Sequence, residues 1–185
     1  MFTHMNRGKR SIVLVSFLIV YLLLALQTAT EASMVEGPLP SEHDIYAAGN
    51  SLCGGTPLDT GVDLQAGNRL TIWADPNDTW SAGPDPRTSN ANGLYNFPEY
   101  SYAGQSFRYG SLIGQIGSNA YFFVGTSYDQ TVNDSGRLYL LYWDSNNSDN
   151  SGYITAGVQA TPLPGAFLLL GSGLVGLVAL RKRNR

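Results

Sequence analysis

Asp144-Ser145-Asn146-Asn147-Ser148-Asp149-Asn150 concentrates five side-chain carboxylates and amides in seven residues, flanked by Leu138–Trp143 and Gly152–Val158. Hard oxygen donors at this density suit calcium, which takes about six to eight oxygens from carboxylates, amides and backbone carbonyls. The same residue types are also ordinary turn formers, because their side chains bond nearby backbone and tolerate left-handed dihedrals. Counted from Asp144, the stretch does not fit the EF-hand pattern. Asp149 stands sixth, where a glycine is needed, and Thr155 stands twelfth, where the closing Glu belongs.

The elements that must hold this stretch read as β-strands. Tyr, Trp, Ile and Thr in the flanks suit a pleated, half-buried surface. The two flanks are therefore expected to pair across the acidic loop, although that loop exceeds the two to five residues of a plain hairpin. Further strands are expected around Ile45-Tyr46, over Thr60–Leu64, from Leu70 to Trp73, and over Ser111–Ile116 and Tyr121–Val124. Asp75–Tyr109 reads as a long irregular segment and Gly125–Ser135 as a polar connection. The aromatics of the long segment (Trp80, Tyr95, Phe97, Tyr100, Tyr102 and Phe107) mark it as ordered. They serve either to stack on sugar faces or to cover one end of the fold. With no convincing helical periodicity between the chain ends, the expected class is all-β, a jelly-roll-like β-sandwich.

The ends read as targeting segments. Arg7, Lys9 and Arg10 precede the apolar run Ser11–Leu26, with Ala29 and Ala32 as cleavage positions, so 1–32 is expected to be a secretory signal peptide. Residues 33–160 form the expected domain. Within 161–185, Ala166–Leu180 is an uncharged apolar run closed by a cluster of Arg and Lys, the pattern of a membrane stop with its positive end in the cytoplasm. At ~1.5 Å per residue it spans less than a typical ~30 Å hydrocarbon core.

Thirteen acidic side chains between residues 33 and 161 face four arginines, Arg69, Arg87, Arg108 and Arg137, a balance of −9. Nucleic acid is not an expected partner, since phosphate binding calls for clustered Lys and Arg. Cys53 is the single cysteine, so no internal disulfide forms. Beyond the expected signal, His43 is the one histidine. With no nucleophile elbow, His/Cys metal cluster or phosphate loop, the domain is not expected to be an enzyme.

Two resemblances sharpen this. Pro162-Leu163-Pro164-Gly165-Ala166, the Leu168–Leu174 run and the basic tail resemble the PEP-CTERM sorting signal, with Pro-Leu-Pro where Pro-Glu-Pro is typical. That implies export, cleavage by an exosortase, passage through a membrane-anchored precursor, and delivery to the cell surface or extracellular polymer matrix of a Gram-negative bacterium.

The second resemblance rests on Asp59–Val62, Gln65–Ile72, Trp80–Pro84, Leu112–Gly117, Phe123–Gly125 and Asp144–Val158 in order. Together they resemble the PA-I-type bacterial galactose-binding lectins. The resemblance implies a small jelly-roll sandwich with one calcium ion at its edge that itself coordinates sugar hydroxyls. It implies Asp144, Asp149 and Asn150 as calcium ligands, with backbone carbonyls from Asn146 and Ala82. Asn92, Asp144, Asp149, Asn150 and the stacking aromatic Trp80 would meet galactose or another saccharide. Ser89 and Asn92 stand where the family carries His and Gln, so the sugar preference is expected to differ. The alternative is a structural matrix protein in which calcium pins the loop and no sugar binds.

Overall fold

The computed structural model describes residues 39–162. The expected signal peptide, and the sorting segment beyond Pro162, lie outside the described residues. Twelve strands fill the described chain: β1 (Ser41–Tyr46), β2 (Leu58–Leu64), β3 (Arg69–Ala74), β4 (Trp80–Ser81), β5 (Thr88–Ser89), β6 (Glu99–Tyr102), β7 (Gln105–Arg108), β8 (Leu112–Ile116), β9 (Tyr121–Phe123), β10 (Ser127–Thr131), β11 (Gly136–Tyr142) and β12 (Ser151–Thr161).

The eleven-residue β12 organises one sheet. It pairs antiparallel with β1, placing Ile45 opposite Ile154, with β3, placing Ile72 opposite Val158, and at its start with β4, placing Ser81 opposite Ser151. β10 extends this sheet beyond β3, and β5 extends it beyond β4. The second sheet runs β2-β11-β8-β9, and β6 and β7 form a separate two-stranded unit.

Alternation along the strands builds the sandwich. Ile45, Leu70, Ile72, Ile154 and Val158 from the first sheet meet Leu64, Leu112, Leu138, Leu140 and Tyr142 from the second in one buried cluster. Each such side chain, fully buried, contributes about 1.5–3 kcal/mol. The intervening residues Ile113, Leu141 and Trp143 form a second buried cluster with Tyr100, Phe107 and Tyr121 packed against it. The centre of the second sheet is thus covered on both faces.

The all-β sandwich expected from the sequence is the observed class. Three expectations about its organisation are corrected. First, the apolar flanks of the acidic stretch do not pair. β11 lies in the second sheet and β12 in the first, so the stretch crosses from one layer to the other. Residue type marks each flank as a strand but carries no information about its partner, and facing layers stand ~10 Å apart. Second, Asp75–Tyr109 contains four short strands, β4 to β7. Third, the polar connection contains β10, an edge strand with mostly exposed side chains and hence no apolar pattern to read. The last pair of β12 and β3 is Thr161 with Arg69.

Candidate functional site

Where β11 ends, Tyr142 and Trp143 are fully buried, and the next residue, Asp144, is only 4 % exposed. Its carboxylate is carried under cover by its apolar neighbours. Desolvation pushes its pKa above the ordinary carboxylate value, opposed chiefly by a hydrogen bond from the Ser145 backbone N–H. That bond, to Oδ1, is 2.6 Å long. Among the described residues no basic side chain forms an ion pair with Asp144.

At the other end of the crossing, Asn150 is 8 % exposed. Its Nδ2 donates to the Ala47 carbonyl at 3.3 Å, while its Oδ1 is buried without a hydrogen-bond partner. The Asn150 side chain also helps hold the Asp144 pKa down, so the two lie side by side. Between them the stretch bonds to itself. Asn146 Oδ1 accepts from the Ser148 backbone N–H and hydroxyl, and Asn146 Nδ2 donates to Asp149 Oδ1 at 3.0 Å.

The turn from β4 to β5 closes over this crossing. Ala82 N–H donates to the Arg87 carbonyl at 2.9 Å, and Arg87 N–H to that of Pro84 at 3.2 Å. Gly83, at φ +121°, lies so near the acidic loop that a Cβ there would sit 2.6 Å from Asp149 Oδ2 and 3.2 Å from Arg87 Nη1. The glycine therefore makes room for the Arg87–Asp149 ion pair, Nη1 to Oδ2 3.6 Å. Arg87 also stands 5.7 Å from the centre of the Phe97 ring.

These groups enclose a cleft of about 350 Å³. Asp144, Ser145, Asn146 and Asp149 make its acidic wall, Leu94, Phe97 and Tyr109 its apolar wall, and Ala82 and Arg87 its rim. The Tyr109 hydroxyl donates to Ser145 Oγ at 3.2 Å, tying the walls together. The size falls in the range typical of small-ligand sites, in which apolar surface and a few convergent polar groups combine.

The structure therefore brings Asp144, Asn146, Asp149 and Ala82 to one cleft, with Asn150 beside Asp144. It removes two candidates. Trp80 is 2 % exposed, edge-on to Tyr142, and its Nε1–H donates to the Gly110 carbonyl at 2.8 Å, so no ring face is free for stacking. The Asn92 amide is used at Thr126: Oδ1 accepts from the backbone N–H at 3.0 Å and Nδ2 donates to Oγ1 at 3.2 Å. Asn92 does not line the cleft.

Sequence reasoning misses Arg87, Leu94 and Tyr109 as site residues. Arg87 is one of four scattered arginines, and nothing in the sequence singles it out from the other three. Phe97 was one of six aromatics with nothing to rank it. Of the others, Tyr100, Tyr102 and Phe107 pack around Trp143, and Arg108 covers the exposed Tyr95 ring at 4.1 Å.

No group of three His, Cys, Asp or Glu side chains suited to a metal occurs among the described residues. A cation here must draw on amide and carbonyl oxygens beside the acid pair. The residues nonetheless fit one: a buried carboxylate without a counter-ion, a second carboxylate on the same cleft and an orphaned amide oxygen form a hard-oxygen set. Ionising Asp144 under cover is costly, and a bound cation offsets that cost.

No protein-family model matches the chain, and no curated protein matches it. Among solved structures, the chain is similar to the EclA N-terminal domain, described as a PllA-like lectin. The TM-score is 0.50 at 24 % identity, over 64 % of this chain and 94 % of that one. At that identity the likeness concerns the fold.

Proposed function

We propose that the domain is a calcium-dependent carbohydrate-binding module and that the chain is exported and sorted to the cell surface or extracellular polymer matrix. One observation carries the binding assignment: the cleft opposes an acid pair with a fitting cation site to an apolar wall containing an aromatic ring. Asp144, Asp149, Asn150 and the backbone carbonyls of Asn146 and Ala82 would hold the ion. Calcium, when bound, supplies positive charge and coordination positions for sugar hydroxyl oxygens. Phe97, rather than Trp80, offers the ring on which the apolar face of a saccharide can rest, and Leu94 and Tyr109 extend that surface. The solved lectin domain of similar fold adds support. Export and sorting by an exosortase rest on the end segments, whose patterns are read from sequence.

A structural reading has its own support. The acidic loop is braced by Asn146–Asp149, Asn146–Ser148 and Arg87–Asp149 contacts within the protein. A glycan array probed with the full chain in CaCl₂ and in EDTA separates the two. Retention in calcium, lost in EDTA and in Asp144→Ala, is the expected result. Calcium affinity with no saccharide retained would favour the structural role, and retention unaffected by EDTA would overturn the calcium dependence.

A further inference from the structure

We infer that Arg87 determines the specificity of the cleft and that the preferred occupant is an acidic saccharide, a hexuronic acid whose carboxylate meets the guanidinium. This rests on the saccharide-binding reading and goes further by naming the ligand class.

The four arginines of the domain are not equivalent. Arg69 binds Asp129 through both Nε and Nη2, at 2.7 and 2.6 Å. Arg137 is shared between Asp63 and Asp59 at 2.8–3.2 Å. Arg108 lies over the Tyr95 ring, away from the cleft. Arg87 stands on the cleft rim at 3.6 Å from Asp149, too far for a hydrogen bond, with its side chain 46 % exposed. Its donors are thus available to a ligand, while its backbone is fixed by both hydrogen bonds of the β4–β5 turn. A planar guanidinium presents a fork that matches a carboxylate, which a neutral sugar lacks.

Charge argues the same way. Asp144 and Asp149 outweigh Arg87, leaving the empty cleft net negative and repulsive to an acidic sugar. A divalent cation balances the two acids and leaves Arg87 as the uncompensated charge. The cleft then becomes locally positive within a domain of net charge −9. The preference for an acidic sugar should therefore exist only with calcium present, when Asp149 is engaged by the ion and releases Arg87.

Isothermal titration of the full chain in mild detergent and excess CaCl₂ tests this, using methyl galactoside against methyl galacturonide and the matching gluco and manno pairs. In at least one pair the uronide should bind about tenfold more tightly, as expected for one partly exposed charge-assisted contact. Arg87→Gln should erase that difference while leaving the neutral sugar within about twofold and calcium bound at least as tightly as in the parent. Equal affinity within every pair, or a uronide preference that survives Arg87→Gln, overturns the role of Arg87 while the saccharide-binding reading stands. Tighter binding of galactose 6-sulfate than of the uronide overturns the carboxylate assignment. No heat from any saccharide overturns both readings.

Discussion

The indole of Trp80 stands edge-on to the ring of Tyr142, centroids 4.4 Å apart and planes at 84°. The pair sits in the core, and Tyr142 is two residues before Asp144. Trp80 is thus a core side chain and presents no free ring face to a ligand. Trp80→Ala should cost about 3–5 kcal/mol, as for other large core truncations. Urea unfolding monitored by circular dichroism measures this. An unchanged midpoint together with lost saccharide binding would restore Trp80 to the contact surface.

The raised pKa of Asp144 has a stability consequence whose sign is fixed. Burial raises its folded-state value above the ordinary 3.8, so the folded state holds this proton more tightly than the unfolded chain. Its contribution is therefore fully favourable below 3.8 and is lost as pH rises through the folded value. Without calcium, Asp144→Asn should be at least as stable as the parent at pH 7 and should lack this part of the pH slope. Unfolding midpoints in EDTA across pH 3–8 check it, and a large loss of stability at pH 7 would contradict the desolvation argument.

Calcium should act as a ligand of the folded state alone. At a free concentration a hundredfold above Kd it should add about 2.7 kcal/mol, on the order of 10 °C in Tm for a domain of this size. Differential scanning calorimetry of the parent and of Asp144→Ala with Asp149→Ala provides the comparison. An equal calcium response in both would remove the acid pair from the cation site.

Gly83→Ala probes the closeness of the turn to the loop. The residue has φ +121°, and its new methyl would lie 2.6 Å from Asp149 Oδ2. Backbone strain alone should cost about 1–3 kcal/mol, and the displaced carboxylate should weaken calcium binding severalfold. Calcium titration of the folded variant decides, with unchanged affinity counting against Asp149 as a ligand.

Arg87→Ala should have the opposite effect on the ion. Removing a cation 3.6 Å from Asp149 should tighten calcium severalfold, and more at low ionic strength than at high. A weaker or salt-independent affinity would show that Arg87 positions Asp149 instead of competing for its charge.

The acidic crossing was legible because Asp, Asn and Ser at this density are visible without knowing where the chain goes. So was its setting among strands, from the β-prone Tyr, Trp, Ile and Thr of Leu138–Trp143 and Gly152–Val158. The partner of each strand was not, because period-two patterning reports which face is buried and says nothing about which edge is met. Tyr-rich segments such as Glu99–Tyr102 were ambiguous for a related reason. An aromatic that covers Trp143 and one that lines a cleft have the same composition.

By itself the sequence determined the all-β class, the acidic charge of the domain and the oxygen-rich stretch from Asp144 to Asn150, all local properties of residue type and spacing. Only the tertiary structure decided that this stretch joins two sheets, that Trp80 is core, and that Arg87 and Phe97 face Asp149 across a cleft. Those relationships join residues 50 or more positions apart. They arise from the way the β4–β5 turn and the crossing are packed together, which no local pattern encodes.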